Sequence, residues 1–97
     1  MLTISGSTQC ISATAEYKKG ATHLFTLFST SENLDDQLKD IESFMINLGW
    51  DEIVIEESVQ IENADALEHN ILQQAFEKAI DEGLSLVINN VPVSAAA

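Results

Sequence analysis

Residues 50–62, WDEIVIEESVQIE, form the longest strand-like run in the chain and lie between two helix-like segments of similar length, so the fold has to be built around them. Read with a period of two, Ile53, Ile55, Val59 and Ile61 share one side, while Glu52, Val54, Glu56, Ser58, Gln60 and Glu62 share the other. A strand with one apolar and one acidic side belongs to a sheet that helices cover on one face and water meets on the other. Glu57 interrupts the apolar side and marks either a bulge or a rim position.

On the N-terminal side, residues 9–17 alternate, with Ile11, Ala13, Ala15 and Tyr17 opposed to Cys10, Ser12, Thr14 and Glu16. Lys19-Gly20 reads as a tight turn into a second strand over 22–30, which makes a hairpin. With those two residues as the loop, Glu16 faces His23, Thr14 faces Phe25 and Ser12 faces Leu27. The core side then holds Leu24 and Phe28, and Phe25 and Leu27 are left on the open side in need of a cover. Leu2 and Ile4 fit a short edge strand or an extension of the next one.

A helix is expected over 32–48, with Leu34, Leu38, Ile41, Met45 and Leu48 as its stripe, Phe44 widening it, Ser29 and Glu32 at capping-box spacing, and Gly49 as its stop. A second is expected over 65–82, with Leu67, Ile71, Leu72, Ala75, Phe76, Ala79 and Ile80 apolar, Asn63 or Asp65 as cap and Gly83 as stop. The run 84–91 reads as a central strand that Pro92 ends, and the tail 94–97 as frayed. The expectation is one α+β domain spanning residues 1–97: a two-layer sandwich in the order ββαβαβ, with a mixed four-stranded sheet and two helices on one face. Ile55, Leu38, Ile41, Ile71, Phe76 and Ile88 should be deeply buried. The alternative splits 50–62 into a hairpin and gives a ferredoxin-like βαββαβ core, but Glu56-Glu57-Ser58 makes a poor tight turn.

Charge is concentrated. Residues 32–82 hold 15 acids against Lys39 and Lys78, residues 83–97 hold none of either sign, and the chain carries a net charge of −12 without one arginine. Lacking the bidentate phosphate grip of arginine, such a chain is a poor nucleic-acid binder, and its partners should be basic. No basic, apolar leader and no apolar run of membrane-spanning length is present, and Cys10 is the only cysteine, so a cytoplasmic, disulfide-free protein is expected.

Candidate catalytic groups are few. On the register above, Cys10 and His23 lie about 20 Å apart, too far for a nucleophile pair, and His23 reads as a surface residue or a partner of Glu16. Asp65 and His69 are four apart on a helix face with Glu68 beside them, but a metal needs three or more ligands and no third is placed. Asp35-Asp36, Asp51-Glu52, Glu56-Glu57 and Asp81-Glu82 are sequence neighbours, which a strand sends to opposite faces, and no Gly-x-Gly phosphate loop occurs. The chain is therefore expected to be non-enzymatic, with neither cofactor nor metal.

What remains is the acidic surface. Glu52, Glu56 and Glu62 would line the open sheet face, and Asp35, Asp36, Asp40, Glu42, Glu68, Glu77, Asp81 and Glu82 would extend it along the helices. Duplex DNA presents about one negative charge per 1.7 Å, so a dense carboxylate array can compete with it for a basic groove. In size, layout and the acidity of 32–82 without arginine, the chain resembles small phage-encoded inhibitors that mimic nucleic acid, among them certain anti-CRISPR and anti-restriction proteins. That resemblance implies a host-cell defence complex as partner and no enzymatic activity. It rests on no shared motif. The competing expectation is a protein-binding or self-associating module, possible as a homodimer, that uses the apolar spots Phe25 and Leu27.

Overall fold

The computed structural model describes residues 1–12, 17–31 and 33–93, with the backbone alone at 66 and 90. Its elements are β1 (Leu2–Cys10), β2 (Thr22–Ser29), α1 (Leu34–Asn47), β3 (Trp50–Gln60), a single 3₁₀ turn (Ala64–Ala66), α2 (Asn70–Glu82) and β4 (Leu84–Pro92). The α+β class and the order ββαβαβ are as expected. β3 is one continuous strand, so the ferredoxin-like alternative does not apply.

The four strands lie in the order β3-β1-β2-β4, and every adjacent pair is antiparallel. The expected mixed sheet is therefore corrected. β2 and β3 do run in the same direction, as a helical crossover requires, but β1 lies between them and no parallel ladder forms among the described residues. The two strands expected at the centre, β3 and β4, are the edges.

The hairpin partner of β2 is also displaced. Lys18 and Ala21 close the turn (Ala21 N–H to Lys18 O, 3.1 Å), and Gly20 takes φ 91° there, yet β2 pairs with Leu2–Cys10 instead of residues 9–17. Ile4 faces Leu27 and Gly6 faces Phe25. This register gives Leu27 an apolar partner in Ile4, where the expected one set Ser12 and Thr14 against Leu27 and Phe25. The expected positions of Ala13, Thr14, Ala15, Glu16, Glu32 and the tail 94–97 fall outside the described residues.

The helices cover opposite faces, which corrects the two-layer arrangement. On one face α1 buries Ile41 and Met45 against Leu2, Ile4, Cys10, Phe25, Leu27 and Trp50. On the other, α2 buries Ala75, Phe76 and Ala79 against Phe28. The adjacent pair Leu27-Phe28 is buried on both sides because β2 is an inner strand with a helix on either face. Phe25 and Leu27 are 2% and 0% exposed, so they belong to the core and offer no binding patch. Ile41 and Phe76 are buried as expected, while Ile55 and Ile88 are half-buried. Leu38 and Ile71 are exposed, at 43% and 63%, because each lies to the side of its helix's buried stripe.

Both glycine stops hold: Gly49 and Gly83 take φ 94° and 92°. The starts differ. Asn33 caps α1 by accepting from the Asp36 N–H, and α2 begins only at Asn70, since Asn63 caps the 3₁₀ turn before it.

Candidate functional site: an acidic helix and sheet edge

β3 reaches the sheet edge with two irregularities. Gly6 faces Ile55 and Ser5 faces Glu57, which leaves Glu56 extra; Ser7 faces Val54 and Gln9 faces Asp51, which sets Glu52 and Ile53 together against Thr8. The bulge expected at Glu57 is thus one residue earlier, and a second sits at Glu52, whose φ of 49° is left-handed for a side chain that ordinarily avoids that region. A Cβ at Gly6 would fall on the Val54 carbonyl, so the β1 backbone passes unusually close to β3 beside the bulge.

These bulges redirect the carboxylates. Glu52, Glu56 and Glu62 do not form a row on an open face. Glu52 joins Glu42 of α1 and Asp51 around a groove of about 430 Å³ that Leu38, Ile41, Ile53, Val54 and Ile55 also line. Glu56 lines a separate cleft of about 450 Å³ with His69 and Ile71, on the α2 side. Glu62 lies past the end of β3, beside Met1.

Helix geometry divides the remaining acids. Asp35, Leu38 and Glu42 recur at i, i+3 and i+7, so Asp35 continues the stripe that faces β3. Asp36 and Asp40 lie on the outer side of α1, turned away from the buried Ile41 and Met45. Glu77 and Asp81 sit opposite the buried stripe of α2 and project away from the sheet on its other face. Asp35, Asp36, Asp40, Glu42, Glu52, Glu56, Glu62, Glu77 and Asp81 are all exposed, and of these the structure brings Glu42 and Glu52 together around one groove. Among the described residues the one salt bridge is Lys78–Glu82 at 3.8 Å, at an exposed i,i+4 spacing.

Sequence reasoning passed over Asp51, half-buried at the centre of the groove. Its position is set from within the core: the Thr8 hydroxyl donates to the Asp51 carbonyl at 2.7 Å, and the neighbouring Trp50 is buried in an edge-to-face trio with Tyr17 and His23, centroids 5.0–5.4 Å apart. Trp50 thereby pins the start of β3, and with it Asp51 and Glu52. The signal in the sequence was the single tryptophan directly after the glycine stop.

The histidine and cysteine expectations change with the register. His23 faces Thr8, is 2% exposed and hydrogen-bonds through Nδ1 to the Asn89 carbonyl at 2.7 Å, so it is a core residue. Cys10 is close to it, because its N–H donates to Ala21 O, two residues before His23. The Cys10 thiol is buried and donates to Ser12 O at 3.2 Å. Asp65 lies in the 3₁₀ turn and His69 at the N-cap of α2, so they share no helix face. Among the described residues no three His, Cys, Asp or Glu side chains are grouped to hold a metal, and no helix is long and apolar enough to cross a membrane. Compared with known proteins, the chain matches no family model, no curated protein and no solved structure.

Proposed function

We propose that the protein is a non-enzymatic inhibitor that occupies the basic groove of a nucleic-acid-binding protein or complex with the edge formed by α1 and β3, acting in the cytoplasm of a host cell in the manner of the anti-CRISPR and anti-restriction DNA mimics. The observation that carries the reading is the convergence of Glu42, Asp51 and Glu52 on one groove, with Asp35 on the same side of α1 and no described salt bridge to any of the four. Carboxylates held by packed elements without internal counter-ions keep their field for a partner. Asp36 and Asp40 on the outer side of α1, and Glu56 and Glu62 along the edge, broaden the negative surface. Glu77 and Asp81, on the opposite face, add long-range attraction only.

Binding of this kind weakens steeply as salt rises and excludes nucleic acid competitively, since both ligands meet the same lysines and arginines. The test is a pull-down from host lysate at low and high salt, followed by competition with duplex DNA, using the wild type and the Glu42→Lys, Glu52→Lys double variant. The reading requires a basic nucleic-acid-binding protein that DNA displaces and the variant fails to capture. Recovery of no such protein, or equal capture by the variant, refutes it.

A further inference from the structure

The two edges of the sheet are built differently. β3 carries Asp51, Glu52, Glu56 and Glu57 and is broken by two bulges, which are the usual means of keeping an edge from pairing with another chain. β4 has neither protection over its first half. No charged residue occurs from Leu84 to Pro92, and the register against β2 is regular from Leu84 to Ile88, with an irregularity only beyond it. The Thr30 N–H donates to Gly83 O at 3.1 Å, and this sets the alternation: Ser85 and Val87 direct their backbone groups to β2, whereas Leu84, Leu86 and Ile88 direct theirs to the outer edge. No described strand lies there. Pro92, which has no N–H, ends the stretch.

A groove of about 330 Å³ runs along that edge. Leu84 and Leu86 form its floor, Phe44 and the exposed Leu48 of the α1 end form one wall, and Lys78 and Glu82 of α2 form the other. An extended segment fits between two helices on opposite faces, and its composition can be read from the strand it would pair with. A basic peptide finds no carboxylate on β4, and Glu82 is already paired with Lys78. A second β4 matches better. Antiparallel pairing about a two-fold axis at Leu86 sets Leu86 against itself, Leu84 against Ile88 and Ser85 against Val87. Outward backbone groups then meet outward ones, and apolar side chains continue the row that packs under α1. Although each chain carries a net charge of −12, no like charges are opposed within the ladder.

We infer that the protein self-associates through β4, forming an isologous dimer whose sheet is continuous across Leu84, Leu86 and Ile88 of both copies. This inference is independent of the groove of Glu42, Asp51 and Glu52, whose strand β3 is the opposite edge of the sheet.

Sedimentation equilibrium over a dilution series, with hydrogen exchange of the backbone amides, tests it. The wild type should rise from the monomer mass of 10.6 kDa to twice that value, and the Leu84, Leu86 and Ile88 amides should become protected in step with the mass. Leu86→Pro removes an outward N–H without removing one that β2 uses, and should hold the protein monomeric. Leu48→Glu, at an exposed side chain the monomer does not bury, sets a carboxylate on the groove wall and should weaken the dimer even if the proline variant fails to fold. A wild type that stays monomeric at every concentration overturns the inference. So does a dimer in which those three amides exchange as freely as in the dilute protein, or one unaffected by Leu48→Glu.

Discussion

Leu24 and Leu27 are the same residue three positions apart on one strand, and the structure assigns them opposite fates. Leu27 is 0% exposed and faces Ile4 on β1 and Leu86 on β4, at the middle of the layer under α1; Leu24 is 44% exposed on the other face. Truncating a fully enclosed leucine removes its transfer free energy and leaves a cavity, so Leu27→Ala should cost about 3–4 kcal/mol. Leu24 has given up only part of its surface, and Leu24→Ala should cost about 1 kcal/mol. For a domain of this size, at about 4–8 °C per kcal/mol, the first change lowers Tm by roughly 12–32 °C and the second by less than about 8 °C. Urea unfolding followed by tryptophan fluorescence suits the measurement, since Trp50 is buried in the same core. With a slope of about 1–3 kcal/mol per molar, the Leu27→Ala midpoint should fall by more than ~1 M. Equal shifts for the two variants would refute the assignment of Leu27 to the core and restore it as a surface contact.

Gly6→Ala drives a methyl into the Val54 carbonyl at the bulge and should lower stability by about 2 kcal/mol or more, seen as a reduced urea midpoint. Ser85→Ala leaves the chain without a buried hydrogen bond, the Ser85 hydroxyl donating to the Ala75 carbonyl, and should cost about 1–2 kcal/mol by the same assay. Gly83→Ala forces a side chain into φ 92° where there is open space, so the loss is conformational alone and about 1 kcal/mol. Sodium chloride should raise the thermal midpoint, because the carboxylates repel one another with only one described salt bridge to lose, whereas capture of a basic partner should fall over the same range.

The helices and their ends were legible because their signals are local. A left-handed residue after an apolar stripe calls for glycine, and Gly49 and Gly83 stop α1 and α2 where that rule places them. The strand order was not local. Residues 9–17 alternate as convincingly as Leu2–Cys10 does, and what selects the latter is contact with β3, where Leu2 faces Gln60 and Cys10 faces Trp50, some fifty residues away. One signal for helices on both faces was present in Leu27-Phe28, since two large neighbouring side chains on a strand both find cover only when both faces are packed. The apolar run of β4 suggested a central strand for the same reason: the two helices bury its faces, though no described strand lies along its outer edge.

The candidate site was legible in its chemistry and not in its geometry. Exposure of the acids follows from the cost of burying a carboxylate, so their place on the surface needs no tertiary information. Which of them meet depends on bulges, and a bulge shifts every later side chain of the strand relative to its partner. Counting by twos from Ile53 put Glu52, Glu56 and Glu62 in one row; the extra residues at Glu52 and Glu56 break that row and send Glu52 towards Glu42 and Asp51 instead. The same two residues bend and charge the β3 edge, which keeps it from pairing with other strands. Their effect on the fold and their proposed use against a partner therefore come from one cause. Replacing both with threonine, at home in a strand but uncharged, should leave β3 open to pairing and lower solubility even in the absence of any partner, whereas lysine at both positions should abolish capture of a basic protein and keep the edge protected. If the threonine variant stays as soluble as the wild type, edge protection does not depend on these acids, and their only remaining role is at the surface they present.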